Sequence, residues 1–327
     1  MKVLVIGGGG MVGQKLAGRI AAGDIGVSVS SLVLYDIAES AKPEAAFPVE
    51  TMVGSMADVG EAERLAAVRA DVVYLLASIV SGDAEMNFDK GWTINARGSW
   101  SLLEALRAEH EKSGGSYRPK VIFTSSIAVF GPPFPEKIGD DFLCAPQTSY
   151  GAQKAMIELL VADYARKGFI DGMSIRLPTI VVRPGKANLA ASSFFSGIIR
   201  EPLNGVEAIL PVDDDVRHWH ASPRSAARFF THAATLELDR LEGRRSLNMP
   251  GVSCTVAEQI EALREIAGED VVKRIKPKAD ETIRRIVAGW PRNFDPARAT
   301  ALGFEAERDF AEIIRIYIED DLPNAAA

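Results

Sequence analysis

The chain opens on an apolar run, Lys2-Val3-Leu4-Val5-Ile6, that breaks into four consecutive glycines and resumes as a helical pattern. Few folds accommodate that order. A run without polar alternation suits a parallel strand covered on both faces. Gly7, Gly10 and Gly13 follow at three-residue spacing, with Met11, Leu16 and Ile20 recurring at helical period. Glycines at a strand-to-helix turn permit tight reversal and close approach of a pyrophosphate, whose charge the helix N-terminus stabilises. A strand before and a helix after favour a dinucleotide cradle over a flexible turn, with Gly7, Gly10, Met11, Val12 and Gly13 at the phosphates.

Residues 32–36 read as a second strand ending in Asp36. An acid about twenty residues beyond the glycines is placed to hold the adenosine ribose hydroxyls. The same carboxylate repels a 2'-phosphate, and no arginine follows it closely, so NAD is expected rather than NADP. Residues 49–53, 72–77, 120–123 and 174–180 read as further strands, separated by helical stretches that include a long one over 92–109. Such alternation predicts an α/β fold, a doubly wound parallel sheet.

Beyond residue 180 the pattern is less regular. A helix is expected over 188–200, short strands over 206–210 and 217–220, and helices over 223–239, 256–266 and 310–317. At 327 residues and 47% hydrophobic, the chain can fill a second core. The expected division is a cofactor domain over 1–182, to which segments around 216–240 return, and a smaller C-terminal substrate lobe over 183–327. The Ala-rich end, 324–327, reads as frayed.

Charge narrows the function classes. A formal net charge of -7 with scattered basic residues argues against a phosphate-backbone binder, so no nucleic-acid partner is expected. The longest apolar run, over 72–80, falls far short of the roughly twenty residues that span a bilayer. Glycines also interrupt the N-terminus before a signal-peptide core could form. Two widely separated cysteines, Cys144 and Cys254, suggest neither a disulfide framework nor a zinc site, and a cytoplasmic location is expected. His218 and His220 alternate along a strand but have no evident third ligand, so no metal is expected; His110 and His232 read as structural.

Chemistry enters with Thr148-Ser149-Tyr150-Gly151-Ala152-Gln153-Lys154. Tyr150 and Lys154, four apart, share a helix face. Lowering a tyrosine from its ordinary ~10 by roughly three units needs about 4 kcal/mol, which a partly desolvated lysine with a second positive charge could supply. The pair then serves as a base. Upstream, the strand over 120–123 runs into Thr124-Ser125-Ser126, hydroxyls at the carboxyl end of a strand, where ligands of such sheets bind.

Gly7, Gly10, Gly13, Asp36, the Asn95-Ala96-Arg97-Gly98 segment, Ser126, Tyr150 and Lys154 together resemble the extended short-chain dehydrogenases, a family that includes sugar-nucleotide epimerases and dehydratases. The resemblance covers nearly the whole chain. It implies a Rossmann fold, Ser126 orienting the substrate hydroxyl and Tyr150 exchanging its proton. Lys154 would bind the nicotinamide ribose and lower the tyrosine pKa, with Asn95 supporting the site. Leu76, Ala77 and Ser78 would flank the cofactor, and Pro178 would lie near the nicotinamide. Ser55 and Phe130 depart from residues frequent in the family, which touches adenine contacts and not chemistry. A homodimer through helices near 99–109 and 150–164 is a further expectation of the resemblance.

The stretches 176–185, 190–195 and 219–224 are similar to a narrower group that oxidises a four-carbon sugar acid at C2 with NAD. An acid substrate calls for a guanidinium clamp. Arg183, Arg217 and Arg224 are the candidates, Arg224 the first choice because it follows Trp219 at an expected strand-to-helix turn; Ser192 and Trp219 complete the expected substrate residues, with Ser126 and Tyr150. Two other readings stand beside this one. A nucleoside-diphosphate-sugar epimerase or dehydratase would use the same Tyr, Ser and Lys but need a nucleotide pocket, and a non-catalytic NAD-binding sensor could dispense with the Tyr-Lys pair.

Overall fold

The computed structural model describes residues 1–185 and 190–322. In chain order the elements are β1 (Lys2–Ile6), α1 (Met11–Ala21), β2 (Ser31–Asp36), β3 (Val49–Val53), α2 (Glu61–Ala66), β4 (Val72–Leu75), α3 (Ser81–Met86) and α4 (Phe88–Gly91). A π-helical turn over Trp92–Gly98 runs into α5 (Ser99–Lys112), followed by β5 (Lys120–Ser126), α6 (Ser149–Arg166), β6 (Asp171–Leu177) and β7 (Thr179–Ile180). Then come α7 (Ser193–Leu203), β8 (Ala208–Leu210), β9 (Arg217–Ala221), α8 (Pro223–Thr235), β10 (Ser246–Asn248), β11 (Val252–Thr255) and α9 (Val256–Ala267). The last are α10 (Glu269–Val272), β12 (Ile275–Pro277), α11 (Glu281–Ala288), α12 (Ala297–Ala301) and α13 (Phe310–Asp320).

Contacts divide the chain into two units. The first holds Met1–Val129, Thr148–Arg176 and Ala227–Leu247. Its seven-stranded sheet runs β10-β6-β5-β4-β1-β2-β3, and β1 pairs in parallel with both β2 and β4. Strand order therefore reverses between β1 and β4, and their carboxyl ends form the crevice of a doubly wound sheet. Val3 to Ile6 and Leu32 to Tyr35 are all buried, as unbroken apolar runs require of strands covered on both faces. Leu4, Ile6, Phe123, Leu103 and Ile157 meet in one core between sheet and helices.

The second unit holds Phe130–Gln147, Leu177–Ala226 and Asn248–Ala327. Its strands form a three-stranded sheet, β11-β9-β7, and a two-stranded one, β12-β8. Around them Val181, Phe195, Ile198, Leu263, Ile314 and Tyr317 pack into a separate core. Helix α9 begins at a reciprocal cap, Thr255 Oγ1 accepting from the Glu258 N–H while the Glu258 carboxylate accepts from the Thr255 N–H.

Three expectations need revision. The helix expected over 92–109 is two segments: its first seven residues take the wider π form, and only Ser99–Lys112 is α. At that junction a Cβ on Gly98 would stand 2.6 Å from the Met56 carbonyl oxygen, so only glycine lets the turn approach this closely. The strand expected over 174–180 starts earlier and splits at Pro178, which has no N–H to continue a ladder; β7 beyond it pairs with β9 in the other sheet. The helix expected over 188–200 begins at Ser193 among the described residues, while Asn188 and Leu189, like the Ala-rich end over 324–327, lie outside them. Among the described residues no helix is long and apolar enough to cross a membrane.

Candidate active site

The glycine turn carries out the approach its composition permits. Gly7 has φ +96°, and a Cβ there would lie 2.6 Å from the Ala77 amide nitrogen. Any other residue would force the ends of β1 and β4 apart. Gly13 is equally constrained: a Cβ would collide with the Gly7 carbonyl oxygen and stand 2.9 Å from Gly8 Cα, all backbone atoms. Gly10 differs, because a Cβ there would meet only the Gly7 oxygen at 3.5 Å. The cradle is closed toward the protein and open above α1, whose N-cap residue Gly10 offers no side-chain hydrogen bond. The first-turn N–H groups of Met11 and Val12 are thus available to an anion.

Around the cradle, the Leu76 and Ala77 N–H groups both donate to the Ile6 carbonyl at 2.8 Å, which draws the end of β4 onto β1. Asp36 closes β2 and accepts from the Gly9 N–H at 2.8 Å through Oδ2 and from the Ile37 N–H at 2.7 Å through Oδ1. Its carboxylate is therefore oriented by backbone at the rim of the glycine turn. Cradle, uncapped helix and oriented acid fit the pyrophosphate and ribose of a dinucleotide.

Asn95 is buried and ties two other site segments together. Its Oδ1 accepts from the Ile79 N–H at 2.9 Å and lies 3.1 Å from Ser78 Oγ, while its Nδ2 donates to Gln153 Oε1 at 2.8 Å. The π turn aims Asn95 inward, and Gln153 anchors it to α6. Gln153 is fully buried, a connection that the sequence does not advertise.

Helix α6 starts where Thr148 Oγ1 accepts from the Gly151 N–H at 3.1 Å, an N-cap that the Thr-Ser-Tyr-Gly order makes possible. Glu85 on α3 fixes the entry by accepting from the Ser149 N–H at 2.9 Å. Tyr150 is half-buried and Lys154 is 2% exposed. The Lys154 Nζ donates to the Thr124 carbonyl at 2.8 Å and stands 4.8 Å from the centre of the Phe123 ring and 5.5 Å from that of Tyr150. Burial pushes Lys154 down from its ordinary 10.5 to about 7, against the raising field of Glu158. Ser126 Oγ accepts from the Ala128 N–H at 3.1 Å, which leaves the hydroxyl proton to be donated. Asn95, Ser126, Tyr150 and Lys154 all belong to the first unit.

Behind Lys154 lies an ion pair that residue spacing gives no hint of. Arg176 on β6 reaches Glu158 on α6 through Nε at 2.9 Å and Nη2 at 2.8 Å, with both side chains buried.

Pro178 and the substrate candidates other than Ser126 and Tyr150 lie in the second unit. Pro178 is buried at the split between β6 and β7. Arg183 and Ser192 are brought together: Arg183 Nη2 donates to Ser192 Oγ at 3.2 Å and Nε to the Ile180 carbonyl at 2.9 Å. Trp219 is buried, its Nε1–H donating to the Met249 carbonyl at 3.2 Å and its ring against Phe294. Arg224, the first choice for a carboxylate clamp, is committed to acids of α13, pairing with Asp320 and, at 2.9 Å, with Glu319. Arg217 holds the Ser253 carbonyl at 3.0 Å and Glu258 at 3.2 Å, and with Arg292, Asn293 and Phe134 it lines an open cleft of about 720 Å³.

His218 and His220 sit in the core of the second unit. His218 lies 2.9 Å from the Pro291 carbonyl and 2.6 Å from Thr179 Oγ1, and its ring stacks on Phe195. Burial pushes its pKa down to about 4 and depresses that of His220 as well. Among the described residues no group of three or more His, Cys, Asp or Glu side chains is arranged to hold a metal ion.

The chain is similar to several known proteins. The model of the NAD dependent epimerase/dehydratase family matches residues 3–235. The D-erythronate dehydrogenase of Cupriavidus necator is 42% identical over 326 residues, covering 98% of both chains. That of Haemophilus influenzae is 39% identical over 322 residues, covering 98% of this chain and all of its own. A solved structure described as the nucleoside-diphosphate-sugar epimerase from Agrobacterium tumefaciens matches at 50% identity and a TM-score of 0.95, covering 99% of this chain and 95% of that one.

Proposed function

The chain belongs to the NAD dependent epimerase/dehydratase family and is an NAD-dependent oxidoreductase, and from that premise we propose that it oxidises a small sugar acid at C2, D-erythronate to 2-oxo-erythronate. Two D-erythronate dehydrogenases matched end to end support the substrate. The observation that carries the chemistry is the buried Lys154 ammonium, 5.5 Å from the Tyr150 ring centre and anchored on the Thr124 carbonyl.

In this reading NAD, when bound, supplies the hydride acceptor. Tyr150, as phenolate, takes the proton of the C2 hydroxyl, and Ser126 donates a hydrogen bond to the same oxygen and holds it in line. Lys154 binds the nicotinamide ribose hydroxyls and favours the phenolate by its charge. Asn95 holds Ser78 and Ile79 in place and, through Gln153, the helix that carries the base. Asp36 takes the adenosine ribose hydroxyls and opposes a 2'-phosphate. For the substrate carboxylate we favour Arg183 with Ser192, since an acid reaching Arg224 would have to displace Asp320 and Glu319.

The 50% identical structure described as a nucleoside-diphosphate-sugar epimerase favours a second reading, in which the same Tyr, Ser and Lys act on a sugar nucleotide and NAD is restored each turnover. One assay separates them. Supplied with NAD and a panel of four- to six-carbon sugar acids and UDP-sugars, the protein should generate NADH absorbance with the acids alone, most rapidly with D-erythronate. Interconversion of a UDP-sugar without net NADH would establish the epimerase instead.

A further inference from the structure

Resting on the reading of Lys154 as the cation beside the Tyr150 base, we propose that Glu158 and Arg176 are a positioning pair that sets the charge of Lys154. Glu158 keeps the ammonium protonated, and Arg176 limits how strongly it does so. Glu158 lies one helical turn beyond Lys154 on the same face of α6, and both are nearly fully buried, at 4% and 2% exposure. Arg176 comes from β6 and grips Glu158 through Nε and Nη2 at 2.9 and 2.8 Å. The result is a buried row of three charges, plus, minus, plus, with Lys154 at the end nearer Tyr150.

As glue between α6 and β6 the pair is a poor choice, because apolar side chains of similar volume hold such an interface without the desolvation cost of two ions. As a source of field it is well placed. Burial draws Lys154 down and Glu158 is the charged group that opposes the loss, the balance of the two lying at about 7. Other charges on the elements packed against α6 are directed elsewhere. Glu85 on α3 accepts from the Ser149 N–H, Asp83 pairs with Lys90 of α4, Glu104 on α5 pairs with Arg107, and Arg97 in the π turn is exposed. Asp89 on α4 is exposed, and Lys120 on β5 binds the carbonyls of Ala234 and Leu236.

The two members of the pair should therefore act in opposite directions. Glu158→Gln removes the attraction and leaves Arg176 repelling Lys154, so the lysine loses its proton at lower pH. Arg176→Met leaves Glu158 unopposed, so the lysine keeps its proton to higher pH. A merely structural pair would weaken the protein in the same way from either side.

The test uses the full chain and the variants Glu158→Gln, Arg176→Met and the double variant. Two alkaline limbs are followed, that of kcat/KM for sugar-acid oxidation and that of the NAD dissociation constant read by protein fluorescence, with Tm recorded for each. The expected result is a limb moved down by about one pH unit in Glu158→Gln, roughly tenfold weaker activity at the pH just above it, and a limb moved up in Arg176→Met. The double variant should fall between the parent and Glu158→Gln, and it carries the test if the single variants fail to fold, because it removes both members of the ion pair together and leaves neither without its partner. Limbs that stay on the parent's, or that move the same way in both single variants, would overturn the proposal. If the parent oxidises no sugar acid, the functional reading fails, but the NAD limb still decides the role of the pair.

Discussion

Lys154→Met should make this protein more stable and inactive at once, and the stabilisation should disappear with rising pH. The lysine is fully enclosed, and its fall from 10.5 to about 7 corresponds to a cost on the order of 5 kcal/mol for keeping the charged form folded. Methionine has similar length and no charge, so that cost vanishes. Against it stands the bond from Nζ to the Thr124 carbonyl at 2.8 Å; leaving that buried acceptor unmet costs about 1–3 kcal/mol. The net gain is therefore roughly 2–4 kcal/mol, several degrees in Tm. The pH window follows from protonation in the two states. Below about 7 the lysine is charged whether folded or unfolded, and the full cost is present. Between about 7 and 10.5 the folded chain has released the proton and the unfolded chain still holds it, so the parent gains stability as pH rises. Above 10.5 both states are neutral, only the lost hydrogen bond remains, and the variant should become the less stable of the two. The assay is thermal melting of both NAD-free proteins from pH 6 to pH 11. A Met variant that melts below the parent at pH 6, or a difference in Tm that is the same at pH 6 and pH 10, refutes the argument that Lys154 is held at a desolvation cost.

Four further outcomes are expected. Tyr150→Phe should lower kcat by about 10²–10⁴ while NAD affinity measured by fluorescence stays within a few-fold, since the hydroxyl is needed for proton transfer and not for the cradle. Gly13→Ala places a methyl against Gly7 oxygen and Gly8 Cα and should weaken NAD binding at least tenfold in a direct titration, at a stability cost of about 1–3 kcal/mol. Arg183→Ala should raise the KM for a sugar acid with kcat largely kept, whereas Arg224→Ala, which breaks the pairs with Glu319 and Asp320, should lower Tm more than it raises KM; the opposite pattern in steady-state kinetics would return the clamp to Arg224. Thr255→Ala removes the cap of α9 and should cost about 1 kcal/mol by denaturant unfolding with kcat unchanged.

What the sequence discloses and what it withholds divide along a physical line. The glycine turn and the Tyr150–Lys154 pair are legible because each is local: the spacing of a few residues on one turn or one helix already determines that they meet. Asn95 is legible as a residue, but its π geometry is not, since the close approach to Met56 that makes glycine necessary at 98 comes from another part of the chain. The break at Pro178 could have been read from its missing N–H, and a longer apolar run concealed it. Glu158 lies on the same face as Lys154 and could have been noticed there, yet its meaning depends on Arg176, 18 positions away, which becomes its neighbour only when β6 is laid beside α6. The candidate arginines are the extreme case. Arg183, Arg217 and Arg224 are alike in type and near each other in sequence, and the partners they acquire include a serine nine positions on from Arg183, a glutamate on α9 for Arg217, and acids on α13 as far as 96 positions from Arg224. Arg224 meets an added anion only in competition with the carboxylates of α13, which is the reason to move the proposed clamp to Arg183. Reaction chemistry is thus written in short spacings, whereas the partners that distinguish the candidate arginines come from distant parts of the chain and are visible only in the fold.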